Sequence, residues 1–224
     1  MKKLIITTII LLSISYVFSQ ESERNNASFS LGDGISFSFN EGDYEFNIYG
    51  FIKPTYIYND EKIYTADGEY SNVFRQFKSQ NSNLFFTGFA KDEKLSFTIQ
   101  MDYSSSNPLV EAFIGYHFNE NTTLYFGQMQ VNHNNLEMTH NEDRLRFTNR
   151  GILSQTYTEN GEEFGLFFET SLGKSIIFKP TLAITSGDGR NSFGDDSRDS
   201  DKGGVKFGSR INIFPFGDFS IGNR

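Results

Sequence analysis

Leu95-Ser96-Phe97-Thr98-Ile99-Gln100-Met101-Asp102-Tyr103 places an apolar residue at every odd position and a polar one at every even position. Side chains alternate across a β-strand, so Leu95, Phe97, Ile99, Met101 and Tyr103 share one face. Ser96, Thr98, Gln100 and Asp102 share the other. The run has the length of a tilted membrane-crossing strand, about 9–11 residues. A strand of a soluble sandwich is usually shorter, about 5–6 residues.

The same pattern extends in both directions. Residues 83–90 read as a partner strand, joined to the first through the polar turn Lys91-Asp92-Glu93-Lys94. Residues 110–118 and 122–131 form a second hairpin, with Ala112, Ile114, Tyr116 and Phe118 on one face and Leu124 and Phe126 on one face of the partner strand. Residues 164–171 and 175–185 make a third. In residues 204–214, Val205, Phe207, Ile211 and Ile213 alternate with Lys206, Arg210 and Asn212. Upstream, 35–40 with 44–58 and then 70–78 complete a set of about ten strands.

Short turns at 91–94, 119–121 and 172–174 alternate with longer connections at 59–69, 104–109, 132–162 and 186–203. Short turns on one rim and long loops on the other is the plan of an outer-membrane barrel. Strands with one lipid-facing side must close on themselves, because an open edge in hydrocarbon leaves backbone groups unsatisfied. The expected fold is therefore all-β, an antiparallel transmembrane β-barrel. A soluble sandwich, in which the aromatics meet in one dry core, is the alternative.

Composition agrees. The chain holds 25 Phe and 11 Tyr but no Trp, and its mean hydropathy is polar at −0.44. Many aromatics in a polar chain fit strands with one greasy and one wet face. Beyond the first twenty residues no apolar stretch reaches the ~18 residues that a membrane helix needs. Cys is absent, which excludes disulfides and thiolate metal sites.

The N-terminus predicts export. Met1-Lys2-Lys3 is a short basic start, Leu4 opens an apolar run, and Val17 and Ser19 are small residues suited to cleavage after Ser19. Residues 1–19 are thus expected to be a signal peptide and 20–224 the β domain. Without Lys2 and Lys3 the chain carries about −10, from 28 acidic and 18 basic residues, which is the wrong sign for nucleic acid. No nucleophile elbow, phosphate-binding loop or His-Glu-x-x-His motif is present, so no enzyme and no cofactor are expected.

The stretch Val110-Glu111-Ala112-Phe113-Ile114-Gly115-Tyr116, followed by Leu124-Tyr125-Phe126-Gly127-Gln128-Met129-Gln130-Val131, resembles the phosphate-selective porin O and P family. Asp188-Gly189-Arg190-Asn191 and Arg210-Ile211-Asn212-Ile213-Phe214-Pro215-Phe216-Gly217 resemble its later strands. The resemblance runs over roughly 80–220. It implies an outer-membrane porin passing small hydrophilic solutes or ions by passive diffusion, with membrane lipid as a partner and a homotrimer as the usual assembly. Such barrels close with roughly sixteen strands. About ten strands make either a narrow barrel or an incomplete one, and the end just after the turn-like 215–218 fits the N-terminal part of a longer porin or a truncated gene product. The other functional reading is a surface β protein that transports nothing, either a structural barrel or an adhesin-like sandwich.

The resemblance implies that residues 132–150 fold inward to narrow the channel. His133, Glu137, Glu142, Asp143, Arg144, Arg146 and Arg150 are the constriction candidates there, and opposed charges would screen solutes by size and sign. As a solvated loop they would only make local ion pairs. Lys206 and Arg210 join them from the last strand, and Gln100, Asp102, Glu111, Gln128 and Lys179 belong to the same wet side. His133 and His140 lack zinc spacing. Asp188, Asp195, Asp196 and Asp199 lie in a Gly-rich loop and could hold Ca²⁺ through oxygen, but the EF-hand spacing is missing, so a hydrated surface loop is the plainer expectation.

Overall fold

The computed structural model describes residues 25–131, 151–153, 161–187, 189 and 204–217. The expected signal peptide lies outside them. The architecture is all-β and antiparallel. Its strands are β1 (Asn26–Ser30), β2 (Gly34–Phe39), β3 (Tyr44–Phe51), β4 (Pro54–Thr65), β5 (Gly68–Ser79) and β6 (Asn83–Ala90). They continue with β7 (Leu95–Asp102), β8 (Leu109–Asn119), β9 (Thr122–Gln130), β10 (Glu162–Thr170), β11 (Ile177–Thr185) and β12 (Lys206–Phe214). Among the described residues no helix is long and apolar enough to cross a membrane.

Ten strands form one sheet in the order β1-β2-β3-β6-β7-β8-β9-β10-β11-β12, while β4 and β5 pair with each other. These are not the ten strands that the sequence pattern predicts. β1 was not expected, and 44–58 is two strands. The break falls at Ile52-Lys53, just before Pro54. Proline lacks an N–H for the ladder and restricts the residue before it. β3 therefore stays in the sheet, pairing with β6 as far as Phe51 opposite Asn83, and β4 leaves it.

Residues 59–69, expected as a connection, are mostly strand. β4 and β5 pair from Pro54 opposite Ser79 to Thr65 opposite Gly68, which leaves Ala66-Asp67 as a two-residue turn. Gly68 sits at φ +135°, where a side chain would be strained. An isolated two-stranded ribbon is marginal in water. This one is braced by the Tyr56 and Phe77 rings at 4.8 Å, by Arg75 5.4 Å from the Tyr58 ring, and by Lys62 and Glu69 at 2.7 Å.

The two rims of the sheet differ in part as expected, although the three-residue β1–β2 turn (31–33) lies on the long-loop rim and the 103–108 connection there is no longer than 171–176 on the other. On one, β2–β3, β6–β7, β8–β9 and β10–β11 are joined by short connections. In the β6–β7 turn Lys91, Asp92 and Glu93 all have positive φ, and the Lys94 N–H donates to the Lys91 carbonyl at 3.2 Å. In the β8–β9 turn the Asn121 N–H donates to Asn119 Oδ1 at 2.9 Å. The other rim carries the β4–β5 ribbon, the 103–108 loop and the two longest connections. Asp102 organises part of it, since its Oδ1 accepts from the N–H of Ser82 at 3.1 Å and of Ser104 at 2.8 Å.

Register gives the sheet two chemically distinct faces, because directly opposed residues point the same way. Ile48, Phe86, Ile99 and Ala112 lie in one row across β3, β6, β7 and β8. Phe97, Ile114, Phe126, Leu166, Ile184 and Phe207 continue another row from β7 to β12. This apolar face is the exposed one: Ile114 is 59% exposed, Phe126 54% and Phe207 72%. The opposite face carries Ser36, Asn47, Thr87, Thr98, Thr181 and similar groups. Burial of polar side chains is concentrated there, as at Gln100, Glu163, Thr181 and Thr185. No pairing joins β1 to β12 among the described residues, so the sheet as described is open.

The candidate wet face

The polar face carries its charges on separate strands. Carboxylates come from Glu45 on β3, Asp102 on β7, Glu111 on β8 and Glu163 and Glu169 on β10. Cations come from Lys179 on β11 and from Lys206 and Arg210 on β12. The strands' pairing sets this order. Thr123, Glu169, Thr181 and Arg210 stand in one transverse row, as do Thr185 and Lys206 nearer the long-loop rim. Adjacent strands are about 4.8 Å apart, so the Glu169 and Arg210 backbones stand roughly 10 Å from each other.

A cavity of about 840 Å³ runs along β8 to β12, bordered by Glu111 and Glu169 on one side and by Lys179 and Arg210 on the other. Within it, Arg210 Nε donates to Asn212 Oδ1 at 2.7 Å, and Thr181 Oγ1 donates to the Arg210 carbonyl at 3.3 Å. Lys179 Nζ lies 5.3 Å from the Phe214 ring centre. At the long-loop rim Glu163 is 1% exposed, accepts from Thr185 Oγ1, and meets Lys206 Nζ at 2.6 Å. Glu111 Oε1 accepts from the Gln130 N–H at 2.8 Å, tying β8 to β9. Toward the short-turn rim His117 bridges three strands, with Ser96 Oγ and Thr123 Oγ1 both at 2.9 Å from its ring nitrogens.

The face is not wet throughout. Val131, Phe167 and Ala183 form a buried cluster with Tyr125 and Met129 packed against it. The Tyr49 and Phe85 rings stack at 4.6 Å, nearly parallel.

Of the residues singled out from sequence, Lys206 and Arg210 stand on the polar face of β12, together with Gln100 and Glu111 on β7 and β8 and Lys179 on β11. His133, Glu137, Glu142, Asp143, Arg144, Arg146 and Arg150 lie outside the described residues, and so do Asp188, Asp195, Asp196 and Asp199. Gln128 is a correction. It was expected on the wet face, but register sets it opposite Ala112 and Phe164 on the apolar side. It is fully buried there, and its Nε2 donates to the Val110 carbonyl at 2.8 Å, where β8 carries an extra residue against β7. An amide over a bulge satisfies a carbonyl that the ladder leaves open. Glu163 is the main residue that sequence reasoning missed. Its signal was faint, because Glu162-Glu163 reads as the end of a polar loop.

No protein-family model matches the chain, and no curated protein matches it.

Proposed function

We propose that the chain is an outer-membrane β-barrel porin, or the N-terminal part of one, related to the phosphate-selective O and P family and reached through a cleaved signal at 1–19. Its apolar face lies in lipid and its polar face lines a water-filled path for passive diffusion of small hydrophilic solutes. The reading rests on one observation above all, the inverted distribution in which Ile114, Phe126 and Phe207 are exposed while Glu163, Thr181 and Gln100 are buried. Hydrocarbon is the solvent that makes such an outer face favourable. Rim asymmetry supports the same reading. In lipid the edges at β1 and β12 would have to be covered, by each other or by other strands, because unpaired backbone in hydrocarbon costs several kcal/mol per group.

Charge selection is assigned to the strands as well as to the 132–150 loop. Carboxylates on β8 and β10 face cations on β11 and β12 along one trough, at a spacing comparable with the Debye length of about 10 Å at 0.1 M salt. Such a transverse field orients and filters ions.

A second reading has its own observation. The dry cluster of Val131, Phe167 and Ala183 on the polar face suits a filled barrel that holds the surface together and conducts nothing. Single-channel conductance of the refolded chain in a planar bilayer separates the two. Discrete steps whose ion selectivity moves toward cations in Arg210→Glu support the porin. A folded, membrane-inserted and silent chain contradicts an open pore formed by this chain alone.

A further inference from the structure

The half of the polar face away from the charged trough has a different chemistry. Ser28, Ser36, Asn47 and Thr87 align in one row across β1, β2, β3 and β6. Asn26, Ser38, Glu45 and Phe89 align in the next. Together with Phe37, Phe46 and Gly88 they border a cavity of about 270 Å³. Glu45 is the one charged side chain among the eight residues of the two rows. Phe89 is the one of those eight whose ring is apolar, and it is 42% exposed. Ser36 Oγ donates to Asn47 Oδ1 at 3.2 Å, so two of the polar groups already point at each other across the strands.

Hydroxyls and amides both donate and accept hydrogen bonds. A wall of them, with no cation to hold an anion, suits a solute that presents many hydroxyls and no charge. The exposed Phe89 ring supplies the complementary apolar patch, on which the C–H face of a sugar ring can lie while its hydroxyls reach the rows beside it. The volume falls just below the usual range of small-molecule cavities, about 300 Å³ and upward, and is on the scale of one sugar ring. We propose that this wall is a subsite for uncharged saccharides, with a pyranose ring stacked on Phe89 and hydrogen-bonded by Ser36, Asn47 and Glu45. The inference deepens the porin reading by naming a solute class. Affinity is expected to be weak, on the order of 1 mM, because a solute in transit must also leave.

The test uses the refolded chain in detergent micelles and equilibrium dialysis against radiolabelled maltose, beside bilayer recordings with maltose added. Saturable binding is expected, weakened about tenfold by Phe89→Ala and kept by Phe89→Tyr. Asn47→Leu provides an independent variant and should also weaken it. Conducting channels with no maltose binding, or binding unchanged in both Phe89→Ala and Asn47→Leu, would overturn the saccharide site and leave the porin reading standing. Maltose binding in a chain that never conducts would keep the site and remove the reading that this chain alone forms an open pore.

Discussion

Glu163 and Lys206 meet at 2.6 Å across the width of β11, although the carboxylate is almost wholly buried and the ammonium stem is about half exposed. Thr185 on the strand between them donates to the same carboxylate, so one residue from each of three strands converges on one charge. The arrangement fixes the long-loop rim of β10, β11 and β12. Lys206→Ala leaves the buried carboxylate with its hydroxyl partner alone and should cost about 1–3 kcal/mol of stability. The double variant Glu163→Gln with Lys206→Met should recover most of that, because no uncompensated charge remains. Denaturant titration of the three proteins checks it. Equal loss in the single and double variants would contradict the role given to the pair.

The apolar face predicts an asymmetry between two lysine substitutions. Ile114→Lys puts a charge among Phe97 and Phe126 on the face assigned to lipid and should destabilise the folded, inserted state by about 2–4 kcal/mol. Ser38→Lys, on the other face, stands directly opposite Glu45 and should be tolerated. Heat-modifiable migration and folding yield into lipid vesicles report both. Equal tolerance of the two would count against the assignment of faces.

At Gly127 the backbone of β8 lies close against β9. The glycine's φ is +135°, and a Cβ there would fall 2.3 Å from the Ala112 carbonyl oxygen. Neither the strain nor the backbone contact can be relieved by turning a side chain. Gly127→Ala should therefore force the two strands apart and lower folding yield sharply. Gly42→Ala is the control, since a Cβ there meets nothing within 4 Å and only the strain of φ +107° remains. A larger loss at Gly42 than at Gly127 would show that close approach is not what Gly127 provides.

The strands from 83 onward were legible because each has one apolar and one polar side, and a period of two is visible wherever the two sides meet different surroundings. That signal fails where both sides meet the same surroundings. Beyond Ile57 the β4–β5 ribbon is exposed on both faces, so Asn59, Asp60, Glu61 and Lys62 read as a loop although they are paired strand. β1, with Asn26, Ser28 and Ser30, is short and polar and read as nothing. The site was legible as far as residue type on a strand, which placed Lys179, Lys206 and Arg210 on one side. It was not legible where the ladder slips. The extra residue in β8 beside Val110 gives Gln128 a carbonyl to bind, and single-strand patterning holds no information about that partner.

The central claim is that the two faces meet different solvents, and the absence of Cys from the chain allows a direct test. Single substitutions Ser96→Cys, Phe97→Cys, Thr98→Cys and Ile99→Cys step along β7 one residue at a time. Each is folded into lipid vesicles and exposed to a membrane-impermeant maleimide, with accessibility read as labelling rate. The account predicts a period of two, with Ser96→Cys and Thr98→Cys labelling from water while Phe97→Cys and Ile99→Cys stay protected until detergent is added. Uniform labelling along the strand, or fast labelling at Phe97→Cys and Ile99→Cys in the folded protein, would contradict it.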